Sequence, residues 1–421
     1  MPSKTPIIAW ARSPVAPLGS ALAQLSPHEL GRPLLLSLLQ QSGLPAHAAD
    51  AVVVGNALGA GGNPARMLAL ASGLPDGCAA HTIDTQCCSG LDAVAMAVGL
   101  LQSGQAEVVI AGGIEAWSRA PIRQTRPQLP GEQPQSYERP PFAPDPERDP
   151  DMLQSAADYA LAHGFSRSRQ EQYALLSHSR ALAAQAQLAP EIVPMAGLEA
   201  DAYPRALQPA RAARMPTLAR GSCEGASADD IAAHALSPLT VSAKADGAAL
   251  ILLATPEACA RWNLQPRAQW LASASVGAAP ETPLLAAIAA AQMVLARGSH
   301  ALAGPHQSPS PSPSPSPLPL PLPLPARELS AIELHDAFAV QGLAFCAAMG
   351  LTPEQINSAG GGLARGHPIG ASGAIALVRC LAQLEYQAQS STPKAALGLA
   401  AIAGAGGIGA ATLVQWLQAA P

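Results

Sequence analysis

The stretch CCSGLDAVAMAVGLLQSGQAEVVIAGG, residues 87–113, decides the fold. Residues 93–101 are small and apolar on every side, which predicts a helix buried all round. Residues 107–112 are rich in β-branched side chains and read as a buried strand, closed by Gly-Gly. A second stretch repeats this order. His367-Pro-Ile-Gly-Ala-Ser-Gly373 opens another helix, a strand follows at 395–402, and Ala-Gly-Ala-Gly-Gly ends it. Two halves with one order of elements predict a duplicated α/β unit. Each half presents a reactive side chain at the start of a buried helix.

Working outward, residues 6–11 and 51–55 also read as buried strands. Residues 26–41 read as a helix, with Ser26 as N-cap and Glu29 completing a capping box. Strands alternating with helices imply right-handed βαβ units and a parallel sheet. The middle, 117–245, breaks this pattern. Pro, Arg, Gln and Asp dominate 121–150, and a helix is expected at 166–187, so the segment reads as an excursion from the sheet. Strand character returns at 248–254. Residues 308–325 are five Ser-Pro units followed by four Leu-Pro units. Proline at alternate positions fixes φ and removes half the donors, so an extended, flexible surface loop is expected. Lengthening a loop costs little. The run therefore reads either as a tolerated repeat or as a ligand for a proline-binding module.

Composition excludes several function classes. The 421 residues exceed one ordinary core and suggest about two domains. With 49% hydrophobic and 13% charged residues, wholesale disorder is excluded. A net charge of −5 and 3% aromatics argue against a nucleic-acid partner. No run approaches the ~20 apolar residues of a membrane span, so no membrane partner is expected. The start, MPSKTPIIAWARSP, makes a poor signal peptide. Seven cysteines form no CxxC pair and no zinc-spaced cluster, so no metal is expected and a reducing, cytoplasmic setting fits.

Four places carry candidate chemistry. Cys87 at a helix N-terminus feels about half a positive charge, which favours thiolate; the alternative is a buried, inert cysteine. Cys88 lies about 100° round the helix and should pack, or form a strained vicinal disulfide. His367, in a glycine-dense loop, is a base near neutral pH or a turn histidine bonded to the backbone. His335 and Asp336 end a strand at 331–334, where α/β sheets place ligand groups; Asp336 alternatively caps the next helix. The run Gly404-Ala-Gly-Gly-Ile-Gly409 precedes a strand and lacks a later acidic residue, so it is not a dinucleotide loop.

Taken in order, the motifs resemble the thiolase family. They are Ala11-Arg-Ser-Pro14, His28-Glu-Leu-Gly31, Gly55-Asn56, Gly62-Asn-Pro-Ala-Arg66, Cys87-Cys-Ser-Gly-Leu91, Ala111-Gly-Gly-Ile-Glu115 and Ser118-Arg-Ala-Pro121. Ser242, Asp246-Gly-Ala-Ala249, His335-Asp-Ala-Phe338 and Gly366-His-Pro-Ile-Gly-Ala-Ser-Gly373 complete the set. The resemblance covers most of the chain outside the Pro-rich insert and part of the middle.

The resemblance implies two sheets around a central helix pair, layered α-β-α-β-α. Residues 1–117 with 246–265 would form the first half, 118–245 a loop domain, and 266–421 the second half, carrying the Pro-rich insert at 305–326. It implies acyl transfer between coenzyme A thioesters (3-oxoacyl-CoA + CoA = acyl-CoA + acetyl-CoA) and a homodimer or homotetramer. CoA thioesters and CoA would be substrates, with no permanently bound cofactor, and the loop domain would contact the nucleotide and pantetheine. Cys87 would be the nucleophile and His367 its activator. The N–H of Cys87 with one from the 403–407 loop, taken at Ala405, would form the oxyanion hole, and Ser242 would lie near pantetheine.

Two departures stand out. His335-Asp-Ala-Phe338 replaces the usual Asn-Glu-Ala-Phe and resembles the His-Asp-Cys-Phe of sterol-carrier-type thiolases. The second catalytic cysteine is absent, since Ala403 and Ala337 occupy its two family positions. Cys346 lies about 16 Å along a helix from His335, and Cys380 farther still from His367. The α-carbon proton would fall to His335, His367 or water. A Cys-His-His set also resembles the decarboxylating ketosynthases. Three functions are therefore carried: a thiolase, a diverged or decarboxylating condensing enzyme, and a non-catalytic CoA-thioester binder.

Overall fold

The first helix starts where its capping residues say it should. Glu29 accepts hydrogen bonds from the Ser26 backbone N–H at 2.8 Å and from its hydroxyl at 2.6 Å. The computed structural model describes residues 4–59, 61–303, 324–390 and 396–417. The first half runs β1 (Thr5–Arg12), β2 (Ala16–Pro17), α1 (Pro27–Ser42), β3 (Ala51–Gly55), α2 (Pro64–Ala71), β4 (Ala79–Ile83), α3 (Ser89–Gln102) and β5 (Val108–Ala116). The chain then leaves the sheet for α4 (Met152–Ala162), α5 (Arg167–Ala183), α6 (Gln185–Leu188), α7 (Pro209–Ala212) and α8 (Ala228–Ala233). It returns through β6 (Ala245–Ala254), α9 (Pro256–Trp262) and β7 (Ala268–Gly277). The second half holds α10 (Ala286–Ala303), β8 (Ala331–His335), α11 (Ala339–Met349), α12 (Gly362–Arg365), α13 (Ser372–Ser390), β9 (Leu397–Gly404) and β10 (Ile408–Trp416). Except for its last two residues, the Ser-Pro/Leu-Pro run lies outside the described residues.

The duplication is visible in strand pairing. In the first half β3 and β5 are parallel, and β6 and β1 follow antiparallel. In the second half β8 and β9 are parallel, and β10 and β7 follow antiparallel. The two half-sheets are not separate, however. They form one path, β4-β3-β5-β6-β1-β7-β10-β9-β8. The seam is short: Thr5, Pro6 and Ile7 pair with Trp270, Gln269 and Ala268. β1 serves both sides because its pairing with β6 shifts register between Ile7 and Ala9.

Alternate residues of each strand feed different layers. Val52, Val54 and Ile110 face Leu30, Leu34, Leu38 and Leu68 of the outer helices. Val53 and Val109 face inward, toward Leu91 and Val98 of α3 and Ile375 and Leu381 of α13. A third core packs α10 and α11 on the outer face of the second half. The result is α-β-α-β-α, with α3 and α13 as the central pair. Pro283–Leu302, covering most of α10, is long and apolar enough by length and composition to span a membrane (mean hydropathy 1.2), contrary to the sequence reading. Its Ala287, Ala290, Ala291 and Val294 are fully buried, and the helix packs on β7 and β10 as the outer layer of the fold.

Two features lock the halves and the loop domain together. The first is a buried ion network. Arg12 donates to Glu191 at 2.5 Å and to both oxygens of Asp201, at 2.6 and 3.0 Å. Arg379 also pairs with Glu191, and Glu333 lies within 4 Å of Arg365 and Arg379. Burial alone would raise the Asp201 carboxyl, but Arg12 outweighs it and holds the group below the usual range. The second feature is steric. The Gly370 carbonyl wedges among Gly55, Gly90 and Gly113, where a Cβ at Gly90 would stand 2.8 Å from its oxygen and one at Gly113 would fall on it. The Gly370 N–H donates to the buried Glu115 carboxylate at 2.9 Å.

Gly113→Ala is expected to cost at least ~2 kcal/mol, the upper part of the range for overpacking. Urea unfolding reads this as a lower midpoint; an unchanged midpoint would show that the carbonyl is not wedged there.

Candidate active site

Cys87 lies just before α3, whose N-cap is Cys88. His367 lies just before the turn that leads into α13. The glycine wedge holds these two helix starts against each other. His367 Nε2 is 3.2 Å from Cys87 Sγ, although the residues are 280 positions apart. The tautomer follows from the other nitrogen. Ser372 donates its hydroxyl hydrogen to the Pro368 carbonyl at 3.0 Å, so at 2.8 Å its oxygen must accept from Nδ1–H of His367. Nε2 is therefore the bare nitrogen, and it faces the thiol.

Electrostatics at the pair run against the sequence reading. Burial pushes the Cys87 thiol up to about 12, outweighing the N–H groups of Ala405 and Cys87 itself that point at the sulfur. The helix terminus does not make a resting thiolate. Burial also pushes His367 down to about 4, leaving a neutral imidazole at neutral pH. The resting pair is thus thiol and imidazole, and the thiol can ionise only by handing its proton to Nε2.

His335 stacks on His367, with ring centroids 4.4 Å apart and planes at 29°. It is buried, and burial drives it well below its ordinary pKa. Its Nε2 has no hydrogen-bond partner. Gly362 makes room for the ring, since a Cβ there would stand 2.7 Å from it. Asp336 does not cap the following helix; Phe338 occupies the N-cap. Asp336 instead accepts from the Tyr173 hydroxyl at 2.9 Å, and burial raises its carboxyl to about 6.

A cavity of about 690 Å³ opens on Cys87 and His367. Its walls include Leu58, Phe142, Met152, Leu153, Leu218 and Phe338. Ser242 also lines it, but its hydroxyl is committed to the Gly362 carbonyl at 2.6 Å. Ala337, Ala403 and Ala405 complete the wall near the chemistry, and Cys87 is the one cysteine lining it among the described residues. Cys346 and Cys380 are buried in helix packing and do not reach it. Cys88 is a free packing thiol, not half of a disulfide.

Sequence reasoning missed Ser372 and Glu115 as positioning residues. Both stand inside the quoted motifs, but only the fold shows that one sets a tautomer and the other anchors the His367 loop. Glu115 holds Asn56 at 2.8 Å and the Ala57 N–H at 2.9 Å besides Gly370, and burial raises its carboxyl to about 7.

The family model for the thiolase N-terminal domain matches residues 5–256, and that for the thiolase C-terminal domain matches 322–416. The chain is 33% identical over 393 residues to the putative acetyl-CoA C-acetyltransferase YhfS of Bacillus subtilis, covering 93% of each. It is 32% identical over 428 residues to a probable acetyl-CoA acetyltransferase of Escherichia coli, covering 97% of this chain and 98% of that one. Among solved structures, the Ascaris suum Acat5 thiolase in complex with coenzyme A superposes with a TM-score of 0.82 at 27% identity, covering 99% of this chain and 100% of that one. The Bacillus anthracis acetyl-CoA acetyltransferase gives 0.81 at 27% identity, covering 98% and 99%.

A neutral pair has a testable pH signature. Alkylation of Cys87 by iodoacetamide should persist as pH falls below 6.5 and fail only near 4, where His367 takes a proton. His367→Ala should slow it about 10²–10⁴-fold at pH 7. An acid midpoint near 6.5 would show that the imidazole is not desolvated.

Proposed function

The chain belongs to the thiolase family and is an acyltransferase, and from that premise we propose that it moves acyl groups between coenzyme A thioesters through a thioester on Cys87. The observation that carries the reading is the 3.2 Å contact between Cys87 Sγ and the bare Nε2 of His367. In the first step Sγ attacks the thioester carbonyl as its proton passes to Nε2. The oxyanion is met by the N–H groups of Cys87 and Ala405, each of the kind worth about 3 kcal/mol in the transition state. Collapse expels the CoA thiolate, which takes the proton back from His367. A second acceptor then removes the acyl group, as in ping-pong transfer.

The nucleotide end of CoA is assigned to the loop domain. Arg205, Arg211 and Arg214 line an open groove of about 620 Å³ that also includes Pro216, two residues before Leu218 of the reaction cavity. Guanidinium groups suit phosphates. A homodimer or homotetramer is part of the same reading. β4 ends the sheet with a half-exposed edge, whereas β8 at the other end is wholly buried. Ile122 and Leu129 on the loop domain are 87% and 71% exposed. Unpaired thiols at all seven cysteines support a reducing, cytoplasmic compartment.

A second reading concerns the carbon chemistry. No thiol stands at 403 or 337, and behind His367 stacks His335, whose Nε2 is unpartnered. This favours either an imidazole as the α-carbon acid/base, in the 3-oxoacyl-CoA and CoA exchange, or a carbanion made by loss of CO2 from a malonyl-type thioester. The second route needs no strong base.

Intact-mass measurement after exposure to acetoacetyl-CoA should show one acyl group added, and none on Cys87→Ser. His335→Ala should still load from acetyl-CoA, which breaks no carbon–carbon bond, while slowing cleavage of acetoacetyl-CoA about 10²–10⁴-fold. No adduct on the folded wild-type protein would end the acyl-enzyme scheme. CO2 release from malonyl-CoA with an acyl-CoA primer, without thiolytic cleavage, would select the decarboxylating route.

A further inference from the structure

A second opening adjoins the reaction cavity. This side space of about 310 Å³ shares Leu58, Trp117, Arg123, Glu138 and Lys244 with the larger cavity, so the two adjoin at these residues. It shares no wall residue with the arginine-lined groove of the loop domain. The chemistry of the common wall is unusual for a site that takes an alkyl chain. Lys244 holds its ammonium 4.9 Å from the centroid of the Trp117 ring and has no ion-pair partner among the described residues. Arg123 is anchored by donating to the Leu58 carbonyl at 2.9 Å and the Ala57 carbonyl at 3.3 Å. Glu138 is the one carboxylate on that wall. Arg123 is fixed and Lys244 rests on the Trp117 ring at an exposed position, and against the one exposed carboxylate they leave a single unbalanced positive charge.

Lys244 is also close to the reaction centre through the backbone. The Lys244 and His367 backbones form an isolated parallel bridge, with the His367 N–H donating to the Ala243 carbonyl at 2.7 Å. A lysine stem of four methylenes reaches about 6 Å from its Cα, and Lys244 and Cys87 line the same cavity. An apolar chain end would pack on Leu58 and Trp117 but leave the Lys244 charge unmatched. A carboxylate would balance its charge, with the Trp117 face excluding water from one side of the pair.

We propose that the side space beyond Lys244 receives the far end of the acyl chain and that the preferred substrates are short dicarboxylic acyl-CoA thioesters, with Lys244 as the residue that selects the free carboxylate. The proposal rests on the acyl-transfer reading above and adds the substrate class. The alternative source of the same anion chemistry is the pyrophosphate of coenzyme A itself, which every substrate carries.

The test compares acyl-CoA thioesters of equal chain length, one ending in a carboxylate and one in a methyl group, by the rate of acyl loading on Cys87. The wild type should load the carboxylate-ended thioester at least about tenfold faster. Lys244→Met should bring the ratio of the two rates close to one. Lys244→Arg should keep the preference, and Lys244→Glu should reverse it. A ratio near one in the wild type overturns the proposal and leaves acyl transfer standing. Equal slowing of both thioesters by Lys244→Met, with the ratio kept, also overturns it and assigns the lysine to the CoA phosphates. Failure of both thioesters to load the wild-type protein overturns the acyl-transfer reading and the proposal together.

Discussion

One backbone carbonyl governs the molecule. Gly370 sits at the start of the second half's central helix, and its oxygen enters a notch made by glycines from β3, β5 and the start of α3. Only residues without Cβ allow that approach. The Glu115 carboxylate then takes the Gly370 N–H and ties the notch shut. Because His367 is three residues earlier and Cys87 is three residues before Gly90, the same wedge fixes the distance between sulfur and imidazole. Packing and chemistry are therefore one constraint: anything that loosens the halves also separates the pair.

Much of this was legible in the sequence because the signals are local. The capping residues Ser26 and Glu29, the β-branched strand ends and the repeated order of helix, strand and glycines all depend on neighbours a few positions away. The pairing of Cys87 with His367 was legible only through the ordered motif set. What escaped was long-range. Nothing in residues 5–7 announces that β1 serves two partners, and nothing in the Pro- and Arg-rich middle singles out Glu191 and Asp201 as the counterions of Arg12. The charge state of Cys87 was misread for a related reason. A helix terminus is visible in sequence, but the burial that outweighs it is a property of the assembled layers.

The site consequently works with neutral groups. A buried thiol and a buried imidazole of opposite tendencies store no ion pair at rest, and charge appears only when a thioester carbonyl arrives to share it. His335 extends this logic one ring deeper. Its unpartnered nitrogen is costly to bury, and no thiol stands at positions 337 or 403 to do its work. Under the proposed exchange reaction, proton handling falls to this stacked pair of imidazoles rather than to sulfur.

The way the loop domain departs and returns sets terms for protein engineering. It leaves at the end of β5 and re-enters at the start of β6, and Ala116 is the register partner of Asp246. Entry and exit are thus side by side, so the sheet would tolerate a transplanted cassette of quite different length. The anchor is elsewhere. Arg12 keeps two of its counterions, Glu191 and Asp201, on that cassette. A chimera that swaps the excursion but omits those two acids would strand a guanidinium in the interior, and would fail for a reason invisible at its junctions.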